Sequence, residues 1–445
     1  MEFTGLIPQF GGLMYTLGAF IIALSIIVAV HEYGHYIVGR WTGIKAEVFS
    51  IGFGPVLFAR TDRHGTVWQV AALPFGGYVK FLGDASAASD KAADDYDELD
   101  EDTKRHTMHG APLYARMLTV AAGPVFNFVL SFLIFAAILM SRGVASDPLT
   151  IGDLRPIPGL EQQLRAGDEI LSIAGQATPS VEAFNEFVDD LPIADELDYT
   201  LRRDGVTLTV RAPFPYPPLV LGLTPGSAAM DVDMQPGDVI LSVDGERISA
   251  FSQLREAVAA SEGRVLLMEV WRDGQVMDMA LAPRTMDLPL ADGSFETRYL
   301  IGITGGLFFE PETKTPGVFE AASYGLNQTI HIVRSSLSGL YHMAVGAISS
   351  CNLRGPIGIA ETSGAAASQG WTSFIWFIAV LSTAVGLLNL FPIPVLDGGH
   401  LVFHTYEALT GKPPSDGALR ILMGIGLAML LSLMAFALTN DLFCP

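Results

Sequence analysis

The chain reads as a polytopic α-helical membrane protein: four transmembrane helices, a membrane-associated β-hairpin after the first, and two tandem small α/β domains inserted between spans two and three. Three observations predict this. Half of the 445 residues are hydrophobic and only 16% are charged, which is low for a soluble protein of this size. Four stretches are long and apolar enough to cross a bilayer, which takes about 20 residues. One segment between the second and third stretches recurs at a constant offset of 70 residues.

The first apolar stretch has no Asp, Glu, Lys or Arg from Phe3 to Val30. It lacks a basic leading region and ends in His-Glu rather than a small-residue cleavage site, so it is expected to stay in place as a span and not to act as a removable signal peptide. The second runs from Met117 to Ser141, the third ends an uncharged stretch at roughly Trp371–Leu390, and the fourth covers Ile421–Asn440. No Lys or Arg precedes the first span and nine lie between Arg40 and Arg116. Lys412 and Arg420 fall between the last two spans, and none follows. The positive-inside rule then predicts both termini outside and the 41–116 loop in the cytoplasm, with 142–370 outside by parity. The expected division is a first span over 1–41, the hairpin over 42–83, an acidic linker over 84–110, a second span over 111–141, the repeated domains over 148–214 and 215–285, an amphipathic helix over 314–350, a third-span region over 354–397 and a last span over 417–441.

The formal charge of −21 argues against a nucleic-acid protein, which needs a basic face. Nine acids and one lysine crowd into residues 84–102, a composition that suits a disordered spacer. Two cysteines, Cys351 and Cys444, are too few for a disulfide framework or a cysteine-based zinc site; they could pair in an oxidising compartment, but no chemistry is assigned to them.

The 46–74 stretch alternates like a strand, with a turn signal at Asp62-Arg63-His64-Gly65, and predicts a hairpin. It is apolar enough (Val48, Phe49, Ile51, Phe53) to lie against or dip into the membrane, where its backbone must be paired or covered. In the outer segment, AGDEILSIAGQATPSVEAFNEFV (166–188) aligns with PGDVILSVDGERISAFSQLREAV (236–258), with eight of 23 positions identical. Each unit reads as turn, buried strand, turn, amphipathic helix and strand pair. The Gly-Asp-x-Ile-Leu-Ser pattern resembles PDZ domains, which bind peptides by adding a strand to a sheet edge.

His31-Glu32-Tyr33-Gly34-His35 carries the chemistry. On a helix the two histidines are i and i+4, so their imidazoles share a face and can converge on one Zn²⁺, with Glu32 placed to take a proton from metal-bound water. Ionisable residues at the end of an apolar span default to function because burying them is costly. A catalytic zinc site needs a third protein ligand and leaves a fourth position for water. The best candidate is Asp397, in Asn389-Leu-Phe-Pro-Ile-Pro-Val-Leu-Asp397-Gly-Gly-His400, where Pro392 and Pro394 must break the helix of span three. Asn389 could hydrogen-bond a substrate backbone or make an interhelical contact. His400 and His404 are a rival i, i+4 pair without a Glu between them, read as packing or interfacial residues. Arg116, Gly123-Pro124 and Asn127 in span two read as structural.

These motifs taken together resemble the site-2 protease family of intramembrane zinc metalloproteases, in its bacterial, sigma-factor-regulating form. The resemblance rests on HEYGH (31–35), FSIGFGP (49–55), LPFGGYVK (73–80), AAGPVFNF (121–128), the two PDZ-like units, RGPIGIA (354–360) and NLFPIPVLDGGHL (389–401). It implies zinc on His31, His35 and Asp397, a base role for Glu32, and a substrate-clamping strand near Gly77 and Tyr78 with Asn389 opposite. It also implies a bacterial inner-membrane protein with its PDZ-like domains in the periplasm. The implied substrates are a single-span anti-sigma factor already cut once by another protease, and leftover signal peptides. The alternative from another class is a membrane scaffold whose PDZ-like pair recruits partners around a structural or vestigial metal site. A small-solute transporter is disfavoured by the four spans and the lack of an inverted repeat.

Overall fold

A computed structural model describes residues 6–84, 99–158, 163–224, 226–290 and 294–444, and most of the acidic run expected as a linker lies outside them. The chain forms two compact units. One comprises Met1–Ile138, Ala322–Tyr341 and Ser350–Pro445, the other Leu139–Ala321 and His342–Ser349.

In the first unit, the uncharged runs are helices, since a backbone in hydrocarbon must satisfy its hydrogen bonds internally. The four long apolar helices are Leu6–Trp41, Leu113–Arg142, Trp371–Asn389 and Asp416–Phe443, here called spans one to four. Span one packs Ala19, Ala23 and Ile27 against Phe374 and Ile378 of span three. Small residues let the backbones touch. A Cβ on Gly34 would lie 2.5 Å from the Ala122 carbonyl oxygen of span two, and one on Gly364 would lie 2.5 Å from Thr16 Oγ1. Gly364 belongs to the Pro356–Ser368 helix. Ser131 and Ser382 both donate to the Asn127 carbonyl, at 3.0 and 2.9 Å, so buried hydroxyls from spans two and three meet on one acceptor.

The segment after span one is more folded than a single hairpin. Strands Ala46–Thr61 and Val67–Phe81 pair so that Phe49 lies opposite both Val79 and Trp68, and Trp68 also opposite Arg60. Each long strand bends back, and the sheet is four strands wide, in the order 77–81, 46–51, 67–71, 56–61. Gly52, Gly54 and Gly76 adopt φ of +90°, +84° and +145° at the bends, a region L side chains avoid. Alternation reveals strand but not where a strand folds on itself, so the simple hairpin expectation falls short. Asp62 closes the tip, accepting from Tyr36 Oη of span one and from Trp68 Nε1, at 3.2 and 3.0 Å.

Cys351 and Cys444, to which the sequence reading assigned no chemistry, are joined in a disulfide. The same region is bound by Asp441, which accepts from the amides of Gly355 and Ile357 at 2.7 and 3.0 Å and so caps the Pro356–Ser368 helix.

The second unit contains the repeat. Its two four-stranded sheets share one order: 176–177, 169–173, 196–203, 206–213 in the first and 246–247, 239–243, 266–272, 275–281 in the second. Each covers its own apolar core, one centred on Tyr199, Ile170 and Ile173, the other on Ile240, Val270 and Leu254. Pairing continues past residue 285: Phe309–Pro311 pairs with Ile151–Leu154, and Ile303–Thr304 with Gly222–Leu223. The repeated Gly-Asp explains itself chemically. Asp168 and Asp238 are both fully buried, and each is gripped by two guanidinium nitrogens at 2.6 Å, from Arg203 and Arg272 respectively. Each also accepts a backbone amide of its own turn, from Arg165 or Gln235 at 2.8 Å. Removing one partner of a buried pair leaves the other uncompensated, at a cost of about 3 kcal/mol. Asp238→Ala is therefore expected to raise hydrogen exchange by mass spectrometry across 239–281 while leaving 169–213 protected; equal deprotection of both would contradict two separate cores.

Candidate metal centre

Span one carries His31 and His35 one helical turn apart on a common face, and the helix puts their rings edge to face, 4.7 Å between centroids and 83° between planes. Their Nε2 atoms are 3.1 Å apart. Asp397 reaches the same point from the far end of the chain. Span three ends at Asn389, residues 390–396 turn sharply, and a new helix, Asp397–Thr410, begins at the aspartate. The turn is closed by glycines: a Cβ on Gly398 would sit 2.3 Å from the Phe391 carbonyl oxygen, and one on Gly399 2.3 Å from that of Ile393. Asp397 Oδ2 stands 3.2 Å from His31 Nε2 and 3.6 Å from His35 Nε2.

These separations test whether a metal fits. Donors about 2.0–2.1 Å from one tetrahedral ion stand about 3.3 Å from each other, and the three distances bracket that value. The orientations agree. His35 Nδ1 lies 2.8 Å from the Thr119 carbonyl oxygen, which can only accept, so in the neutral ring the proton is on Nδ1 and the Nε2 lone pair faces the centre. Asp397 Oδ2 is buried and accepts no hydrogen bond despite the two nearby imidazole nitrogens. An inward lone pair on His35 and a carboxylate oxygen free to bond at the same point are what a common ion requires. Among the described residues this is the only group of three His, Cys, Asp or Glu so disposed.

Glu32 lies within electrostatic reach of His31, His35 and Asp397 and near the backbone of Val79. The strand that contains Val79 runs along span one, where a Cβ on Gly77 would be 3.0 Å from Val28 and 3.3 Å from Glu32 Cγ. Tyr78 turns its ring onto the sheet, stacking on Phe53 and accepting from Gln69 Nε2 at 3.1 Å. Asn389 is the last residue of span three, partly buried.

The rival histidines do not join the cluster. His404 Nδ1 is 3.9 Å from Glu407, and the His400 ring lies 6.0 Å from that of Phe403. Two residues read from sequence as structural do border the centre. A Cβ on Gly123 would lie 2.3 Å from His35 Nε2 and 2.8 Å from His31 Cε1, and the Asn127 side-chain amide contacts His31 Nδ1 at 3.2 Å. A buried amide three residues after a proline in an apolar span was the available signal. Arg116, also read as structural, holds Glu407 through two bonds of 2.7 and 3.0 Å, anchoring the Asp397 helix to the start of span two.

The model of peptidase family M50 matches residues 19–433. The chain belongs to this family. Relatives agree over nearly the whole length. A protein named as a zinc metalloprotease in Rhizobium meliloti is 36% identical over 434 residues, covering 97% of both chains. One so named in Brucella suis is 34% identical over 97% of this chain and 96% of its own. The regulator of sigma-E protease of Salmonella typhimurium is 32% identical over 96% of this chain and 98% of its own. The resemblance to site-2 proteases read from the motifs thus holds. The chain is a metalloprotease of a zinc-dependent family, and its four apolar helices make it a membrane protein.

The Arg116 guanidinium holds the Glu407 carboxyl below its ordinary pKa. Both side chains are mostly buried, at 15% and 17% exposure, so Arg116→Leu should strand Glu407 and cost about 3 kcal/mol. Hydrogen exchange across 397–410 should rise accordingly. The Arg116→Leu, Glu407→Leu double variant should recover part of this protection; no recovery would mean the pair does not hold the helix.

Proposed function

We propose that the chain is an intramembrane zinc endopeptidase that cuts transmembrane segments of single-span proteins, with His31, His35 and Asp397 as zinc ligands and Glu32 as general base. The observation that carries this reading is the meeting of three donor atoms at 3.1, 3.2 and 3.6 Å beside a carboxylate in an apolar helix. A bound zinc ion would supply an acidic water and a Lewis acid for the scissile carbonyl. Glu32 takes the proton of the attacking water and returns it to the departing amide nitrogen.

A substrate helix must first surrender its own hydrogen bonds. The 77–81 strand is an edge of its sheet and lies against Glu32, so an unwound peptide can pair with it as an added strand. In this reading the backbone of Gly77 and Tyr78 contacts substrate, Gly77 because no side chain blocks the approach, and Asn389 holds the peptide from the opposite side. The duplicated units of the outer segment act as PDZ-like domains. Their common strand order and their Asp–Arg pairs support that reading. They engage a peptide or the outer region of a substrate, and they screen out substrates with bulky outer domains.

The Cys351–Cys444 disulfide supports the orientation derived from charge. Disulfides persist in oxidising compartments, which suits a periplasmic end of span four and a cytoplasmic hairpin and acidic loop in a bacterial inner membrane. The sigma-E protease of Salmonella among the relatives supports an anti-sigma factor as substrate, cut once beforehand by another protease, with leftover signal peptides as a second class. Glu32→Gln should retain wild-type zinc content and lose cleavage of a single-span model substrate by at least about a thousandfold, the upper part of the range for a general base. Asp397→Ala should lose zinc. Normal cleavage by Glu32→Gln would remove Glu32 from the mechanism, and unchanged zinc in Asp397→Ala would point to another ligand.

A further inference from the structure

Asn127 is completely buried in span two, with its side-chain amide against the outer nitrogen of His31. As placed, Asn127 Nδ2 approaches His31 Nδ1 at 3.2 Å, while Asn127 Oδ1 is buried and accepts no hydrogen bond. That arrangement conflicts with a metal at the centre: a donor aimed at Nδ1 requires Nδ1 to carry the lone pair, leaving the proton on Nε2, where it points into the metal centre and blocks coordination. Turning the amide half a revolution exchanges oxygen and nitrogen without changing its shape. Oδ1 then faces Nδ1 and accepts its proton, Nδ2 takes the position that Oδ1 leaves, and Nε2 keeps its lone pair toward Asp397 and His35.

We propose that Asn127 is a positioning residue for the metal centre: its side-chain oxygen accepts the Nδ1 proton of His31 and so commits the Nε2 lone pair to the ion. The proposal rests on the reading of His31 as a zinc ligand. The rest of the surroundings serve it. The Asn127 backbone oxygen takes the Ser131 and Ser382 hydroxyls, fixing the residue between two spans. Gly386 leaves room for the side chain, its own Cβ position lying 3.1 Å from Asn127 Cβ. The arrangement makes the two histidines alike, since His35 Nδ1 already donates to the Thr119 carbonyl at 2.8 Å. Each ligand ring would then be oriented by an oxygen acceptor from the same helix. Partners of this kind typically alter metal affinity 10–100-fold.

The test is zinc affinity of the purified full-length chain, measured by chelator competition, for wild type, Asn127→Asp, Asn127→Leu and His31→Ala. Aspartate can only accept, so Asn127→Asp should bind zinc at least as tightly as wild type, and Asn127→Leu should bind about 10–100-fold more weakly. An amide needed only for packing, or one that donates to Nδ1, predicts the reverse order, with the buried negative charge the more damaging; that order would overturn the proposal. Should the leucine variant fail to fold, the aspartate variant alone decides, because weakened zinc binding there contradicts an accepting role. His31→Ala separates the two levels. If it keeps zinc, the ligand assignment itself fails. If it loses zinc while Asn127→Leu binds as wild type does, only the role of Asn127 fails.

Discussion

Three electronegative atoms from opposite ends of the chain are held within 3.1, 3.2 and 3.6 Å of one another beside an apolar helix bundle. With both imidazoles protonated on Nδ1, two nitrogens and a carboxylate oxygen so placed set lone pair against lone pair unless a cation lies between them. The surrounding fold bears the cost of holding them there. Gly34 and Gly123 bring spans one and two to backbone contact around the histidines, and Gly398 and Gly399 pack the turn that delivers Asp397. Any side chain larger than hydrogen at Gly123 would occupy the space of the His35 ring.

A second demand follows from the medium. Polar groups in hydrocarbon must find partners within the protein, and here they do so in linked sets rather than singly. Ser131 donates to both Asn127 and Ala379 carbonyls, joining spans two and three. Thr119 contributes its carbonyl to His35 and donates its hydroxyl to Ala115. The network that packs the bundle is continuous with the residues that orient the centre. Structural and functional roles in span two therefore overlap.

Much of this was legible in the sequence because the bilayer simplifies the code. Uncharged runs long enough to cross it could only be helices, and the His31–His35 spacing could only mean a shared face. Asp397 was reachable because Pro392 and Pro394 forced a break just before it. What stayed hidden was tertiary. Period-two alternation could not say that 46–61 and 67–81 bend into a sheet four strands wide; only the glycines at 52, 54 and 76 hinted at it. Two cysteines 93 residues apart carry no mark of pairing. Asn127 and Gly123 read as packing residues: an amide in an apolar span marks a polar contact, but not that another helix sets imidazoles against it. The strands at 303–311 close onto the repeats from beyond 285, where the internal alignment had already ended.

The claim on which the account turns is that two imidazoles and one carboxylate share a single ion. X-ray absorption of the zinc-loaded full-length chain measures this directly. The account predicts two nitrogen scatterers with imidazole outer-shell features and oxygen donors at about 2.0–2.1 Å, with no sulfur shell. A first shell of three or four imidazoles, with another histidine in place of Asp397, would contradict it.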